Sequence, residues 1–179
     1  TGKIISVDND PSMIIVGKHI YSKIIDNDRA EAEWFDSGAE SFSLEPNSID
    51  LCTILQGPQF LSDAKLALKN VLFALQPSGR LVATAWARIE ENKGHYAIAT
   101  SLEKLGFQPA LKPFSLGEND KLKDLLVSSG FSVENFTTEQ RNIQFASVQE
   151  FVSGVAAGAP DRKSTRLNSS HLVISYAVF

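Results

Sequence analysis

Apolar residues in this chain keep two rhythms, short unbroken runs and stretches of helical spacing, and the two alternate through the first half. Ile4, Ile5 and Val7 run straight into Asp8, which reads as a buried strand over residues 3–8. Asp10 then suits an N-cap and Pro11 a first helical turn, so a helix follows to about Ile25. Ala32 to Phe35 reads as a short strand, and SIDLCTIL, Ser48 to Leu55, as a second buried one. In Asp63 to Leu75 the apolar positions Leu66, Leu68, Val71, Leu72 and Leu75 fall near helical spacing. Pro77-Ser78-Gly79 marks a turn, and Arg80 to Trp86 another strand. The order β-α-β-β-α-β argues for a parallel, doubly wound α/β sheet.

The second half changes character. Tyr96 to Leu105 and Asn119 to Ser129 read as helices, with Gly130 placed as the C′ residue of the latter. Val133 to Thr138 and Arg141 to Phe145 read as two strands around Glu139-Gln140. That predicts a terminal antiparallel hairpin on an otherwise mostly parallel sheet.

Composition narrows the function classes. A hydrophobic share of 43% and a charged share of 21% fit an ordinary globular domain with a real core. The formal net charge of −4 leaves no basic footprint, which argues against nucleic acid and anionic membranes as partners. Cys52 is the single cysteine, so neither an intrachain disulfide nor a cysteine-rich metal site is available, and no metal site is expected. A core thiol on a strand is the expected role of Cys52. No apolar run is long enough to span a bilayer and no signal peptide is evident, so a cytoplasmic protein is expected.

Residues 161–179, DRKSTRLNSSHLVISYAVF, share no periodicity with what precedes them. They resemble the reading-frame translation of a short-read sequencing adapter, with Leu172 and Val173 in the place of its index. The domain is therefore expected to occupy residues 1–160, with 161–179 a non-native tail. Removing the tail's three cations and one acid leaves the domain more acidic by two charges.

Five stretches resemble the class I S-adenosylmethionine-dependent methyltransferases. GKIISVDNDPSM is similar to that family's second strand and its ribose-binding acid. SGAESFSLEPNSIDLCTILQGPQFLSD is similar to the adenine-binding turn and fourth strand, and ALKNVLFALQPSGRLVATAW to the next helix, turn and fifth strand. LKDLLVSSGFS and RNIQFASVQEFV resemble the elements around the sixth and seventh strands in small-molecule members. The resemblance implies a Rossmann-like sheet of order 3-2-1-4-5-7-6 and S-adenosylmethionine as methyl donor. No GxGxG string occurs in the chain. The family's first strand and glycine-rich turn are thus expected to be missing, leaving buried strand edges unpaired. Poor stability and very weak cofactor binding by the chain alone are the expected consequences.

The resemblance also assigns residues. Asp8 would accept from the ribose hydroxyls, and its alternative is a plain turn or capping acid. Asn9 would lie along the adenine. Gly38 stands where the family often has an acid for the adenine amino group, so backbone groups of Gly38 and Ala39 would substitute. Gln56 would point into the crevice from the fourth strand's end, and Gly57, Pro58, Gln59 and Phe60 would edge the methyl-transfer channel. Ser78 replaces a usual glycine in the structural turn. His95 is the candidate base by residue type, against the alternative of a solvated loop histidine. His19 falls within a helix and has no chemistry assigned.

The reading is therefore a methyltransferase acting on a small molecule, with the acceptor and the oligomeric state open. A nicotinamide-dinucleotide domain and a non-catalytic methyltransferase-like binding protein are the alternatives.

Overall fold

The computed structural model describes residues 2–24, 30–118 and 120–157. Strand β1, Lys3–Asp8, leads into helix α1, Pro11–Ser22, and then β2, Glu31–Asp36. Asp10 caps α1 as its position requires, accepting from the Ser12 amide at 2.9 Å and the Ser12 hydroxyl at 2.7 Å. The predicted last residue of this helix, Ile25, lies outside the described residues. β1 and β2 pair in parallel, from Lys3 opposite Glu31 to Asp8 opposite Asp36. Gly17 lets α1 press onto this pair, because a Cβ there would overlap the Trp34 ring.

The second unit repeats the design. Strand β3, Ile49–Leu55, passes through a short 3-10 turn, Pro58–Phe60, into helix α2, Ala64–Ala74, and then strand β4, Leu75–Thr84. Asp63 caps α2 through the Leu66 amide at 2.9 Å. Between Ile49 opposite Leu75 and Leu51 opposite Arg80, β3 advances two residues while β4 advances five. The predicted Pro77-Ser78-Gly79 turn is therefore a looped-out bulge inside the ladder. Gly79 is required there, since a Cβ would come within 3.0 Å of the Ile49 carbonyl oxygen and the Gln76 main chain. Cys52 sits half-buried on β3, and burial pushes its thiol up to about 11, consistent with an inert structural thiol.

Helices α3, Lys93–Lys104, α4, Lys121–Ser128, and α5, Val148–Ala157, follow. Gly130 closes α4 at φ +102, with the Phe131 amide reaching back to Leu126 O at 3.1 Å, as its C′ placement predicts. Asn119, the predicted start of α4, lies outside the described residues, as does the 161–179 tail.

The sheet is α/β and its paired strands are parallel, in two separate pairs, β1-β2 and β3-β4. Among the described residues no strand fills the place between β1 and β3, which the resemblance assigns to a central strand. The terminal hairpin does not form: residues 131–145 carry no strand. Their apolar content explains this. The two runs offer only Val133, Phe136, Ile143 and Phe145 as large apolar residues, and Phe136 and Ile143 remain 40% and 48% exposed. Burial that slight does not offset the entropy of ordering two strands. Residues of the segment instead line a groove to which β4 also contributes.

Candidate functional site

In parallel pairs all carboxyl ends lie on one side, and that is where Asp8, Asp36, Leu55 and Thr84 terminate their strands. The Ser37 amide donates to Asp8 O at 3.0 Å and brings the 37–41 turn against the end of β1. Asp8 Oδ1 accepts from the Asp10 amide at 2.8 Å, while its other carboxylate oxygen takes no bond among the described residues. Both weighed roles are thus compatible in one side chain: one oxygen braces the turn and one is available. Asn9 is exposed beside it.

Gly38 and Ala39 lie in the turn, and only half of their backbone is available. Gly38 O already accepts from the Ser41 amide at 3.1 Å, the Phe42 amide at 2.9 Å and the Ser41 hydroxyl at 3.1 Å. The Ser37 hydroxyl adds a further bond at 3.3 Å, so this carbonyl is engaged by the turn itself. The N–H groups of Gly38 and Ala39 carry no bond among the described residues, so contact to a ligand here is by donation.

Glu40 plays a part that sequence reasoning missed. Its carboxylate stays over the turn, with Oε2 close to Gly38, while Oε1 accepts from the Ser62 amide at 2.7 Å and the Asp63 amide at 3.2 Å. A bond from its own amide, and then those from the Asp63 and Ser62 amides, hold the carboxyl below the usual carboxylate range. Asn70 on α2 completes the latch, donating to Glu40 O at 2.9 Å. Glu40 and Asn70 therefore tie the β1-β2 end to the start of α2. A polar Asn in the middle of an apolar helix was the available signal, since Asn is a poor interior helix residue without a specific partner.

On the second pair, Gln56 ends β3 in the left-handed region at φ +56. A non-glycine residue there is strained, and the bonds around it show what maintains it. The Gln56 amide donates to Thr84 O and Thr84 Oγ1, both at 3.1 Å, and Gln59 Nε2 donates to Gln56 O at 3.1 Å. The side-chain oxygens of Gln56 and Gln59 are buried without a partner among the described residues.

His95 corrects the solvated-loop alternative. α3 begins three residues before its predicted start, so His95 stands in the helix's first turn, half-buried among aromatic rings. Trp86, Phe114 and Phe151 lie at 5.5, 5.4 and 5.8 Å between centroids. Burial holds the imidazole below its ordinary value. The sign for stability follows. Above the unfolded value both states are neutral and the contribution is complete; as pH falls below it, the unfolded chain takes the proton first and stability drops down to the folded value. Urea titrations at pH 7.5 and 5.5 are expected to show a smaller acid loss in His95→Gln than in the parent. Solvent screening at this half-exposed ring keeps the difference below about 1 kcal/mol.

Gln56 and His95 line the same open groove of about 2230 Å³, together with Phe60, Trp86 and Phe114. Asp8, Asn9, Gly38 and Ala39 do not line it. The assigned residues thus form two clusters on the carboxyl side, one with a carboxylate and N–H donors, one along the groove with Gln56 and His95 beside aromatic rings. Among the described residues no group of three His, Cys, Asp or Glu could hold a metal ion. No helix among them is long and apolar enough to cross a membrane.

Parallel β-α-β units with an acid at the end of one strand make a Rossmann-like domain, an arrangement that methyltransferases and dinucleotide-binding domains share. The chain belongs to the ubiE/COQ5 methyltransferase family, whose sequence profile matches residues 1–105. The dinucleotide alternative falls with that assignment. Solved structures share the fold. A protein described as a methyltransferase from Bacillus halodurans matches at TM-score 0.54 with 13% identity, over 74% of this chain and 55% of its own. A SAM-dependent methyltransferase from Thermotoga maritima matches at 0.51 with 22% identity, over 73% of this chain and 55% of its own. A complex of a methyltransferase with its activator protein from Haloferax volcanii matches at 0.55 with 14% identity, over 84% of this chain and 60% of the matched chain. The chain thus spans between half and two thirds of the length of these structures.

The residues at β1 fit the adenosine end of S-adenosylmethionine on their donor set: an available carboxylate oxygen for ribose hydroxyls, and open N–H groups for the acceptor nitrogens of adenine.

Proposed function

We propose that the chain carries the adenosine seat and the acceptor mouth of an S-adenosylmethionine-dependent methyltransferase that acts on a small molecule in the cytoplasm. Residues 1–160 form its domain and 161–179 lie outside it. When bound, S-adenosylmethionine supplies an activated methyl group. Asp8 holds the ribose, the Gly38 and Ala39 amides and Asn9 hold the adenine, and Gln56 sits where donor and acceptor meet. His95, kept neutral by burial, is the group able to take a proton from an acceptor in the groove. Alignment of the two reactants is the protein's main contribution, a large effect by itself.

The observation that carries this reading is the available Asp8 oxygen beside the open amides of the 37–41 turn. Calorimetry with S-adenosylhomocysteine tests it. Weak binding is expected from the 179-residue chain, and Asp8→Ala is expected to weaken it further by about tenfold, the loss of a charge-assisted pair of bonds. An unchanged affinity in Asp8→Ala would sink the ribose assignment. Affinity without methyl transfer to any acceptor would favour the non-catalytic binding protein.

A further inference from the structure

Helix α5 holds to the rest of the protein by one face. Among the described residues its capping and side-chain bonds stay within 146–153: Ser147 O accepts from the Phe151 amide at 3.2 Å, Ser147 Oγ from the Glu150 amide at 3.1 Å, and Glu150 Oε2 from the Ala146 amide at 2.7 Å. Val148 and Val152 are exposed, while Phe151, Gly154 and Val155 are half-buried and line the groove. Residues three and four apart on a helix share a face, and Phe151 is the anchor of this one. Its ring lies over Gly94, where a Cβ would come within 2.5 Å of the ring's Cζ, so the notch exists only because residue 94 is glycine. The same ring meets His95 at 84° with centroids 5.8 Å apart, and Phe145 at 5.1 Å. A ten-residue helix that contains a glycine is marginal by itself in water, so α5 persists only while this anchor is seated.

We propose that α5 is a movable wall of the groove, pinned by Phe151 in the notch beside Gly94 and His95 and released when His95 takes a proton. The pin does not depend on which reaction the groove serves. Trp86 and Phe114 also cover the imidazole, but Trp86 stands just past the end of β4 and Phe114 is buried, so the ring that can leave is Phe151. His95 makes no ion pair among the described residues. The charged groups on the elements around it are engaged elsewhere: Arg88 with Glu90 at 3.4 Å, Lys112 over the Phe60 ring at 6.0 Å, Arg141 with Glu139 at 3.0 Å, and Glu150 with the Ala146 amide. Lys93 and Glu91, beside it in the chain, are exposed. Ring faces attract a cation, but an imidazolium would surrender its water to meet them, and burial decides the balance in favour of the neutral ring. A proton therefore favours the arrangement in which the imidazole meets water. Above the ordinary imidazole value the ring is neutral whether pinned or released, and the pin is at full strength. As pH falls below that value the released state takes the proton first, and the pin weakens until the lower, pinned value is passed.

Amide hydrogen exchange of the 179-residue chain, expressed as protection factors at pH 7.5 and 5.5, reads the pin directly. The α5 amides are expected to be less protected than those of α2 at pH 7.5, and to lose about threefold more protection at pH 5.5. His95→Gln removes the proton site and is expected to leave α5 equally protected at both values. Gly94→Ala fills the notch without touching the imidazole, and alanine favours helix α3 itself. It is expected to lower α5 protection at both values and to flatten its pH dependence. Amides of α5 as protected as those of α2 at both values overturn the movable wall, since α5 then opens only with the whole domain. Protection that does not change with pH in the parent, or that still falls in His95→Gln, overturns the proton as the release. Parent-like protection of α5 in Gly94→Ala overturns Phe151 as the pin.

Discussion

Leu68→Ala is expected to destabilise the protein by about 3 kcal/mol, against less than about 1 kcal/mol for Leu66→Ala two residues earlier. Leu68 has no exposed surface, and Ala67 beside it has none either; Leu66 is 44% exposed. Both substitutions remove the same atoms, so the contrast isolates burial. At position 68 the lost transfer energy is joined by the cavity that the surrounding side chains do not refill. At position 66 water fills the space. Urea denaturation of the parent and both variants measures the difference. Equal losses would mean that α2 does not present the face described here.

That face shows where sequence and structure part. The spacing of Leu66, Leu68, Val71, Leu72 and Leu75 identifies α2, and of those five positions Leu68 and Leu75 are buried. The buried positions are Ala67, Leu68, Ala74 and Leu75, and Leu72 is 38% exposed. Two alanines let the helix approach its neighbours closely, and a pattern read from large apolar residues passes over them. Strand identities and the N-cap Asp10 were legible because each is decided within a few residues. The hairpin at 131–145 was not, since a strand needs a partner edge and buried area, and neither is encoded in the segment itself.

The site divides in the same way. Asp8 and Gln56 were legible as strand ends in a parallel sheet. The roles of Glu40, Asn70 and Gln59 were not, because each depends on a contact made elsewhere in the fold: Glu40 with Ser62, Asn70 with Glu40, Gln59 with the carbonyl of a left-handed Gln56. His95 was noted for its residue type but not for its surroundings, since Phe114 and Phe151 reach it from later in the chain.

Gly117→Ala is expected to cost about 2–3 kcal/mol and to disturb the groove, whereas Gly154→Ala is expected to stabilise by up to about 1 kcal/mol. A Cβ at Gly117 would overlap Trp86 O, the carbonyl carbon of Ala87 and the amide nitrogen of Arg88. All three atoms are main chain, so no side chain can swing aside, and the Gly117 turn must move away from Trp86–Arg88. Phe114 moves with it, because the Gly117 amide is bonded to Phe114 O at 3.0 Å. Trp86, His95 and Phe114 then separate, and the apolar wall around the imidazole opens. At Gly154, inside α5, a Cβ meets nothing within 4 Å, and the substitution only removes backbone freedom from the unfolded chain. Near-UV circular dichroism and tryptophan fluorescence separate loss of the wall from loss of stability. The expected result for Gly117→Ala is a weakened aromatic signal before unfolding begins, with the imidazole of His95 titrating closer to its ordinary value. An unchanged aromatic signal together with parent-like stability would mean that the turn at Gly117 does not bear on Trp86, and that the wall around His95 is held by α5 alone.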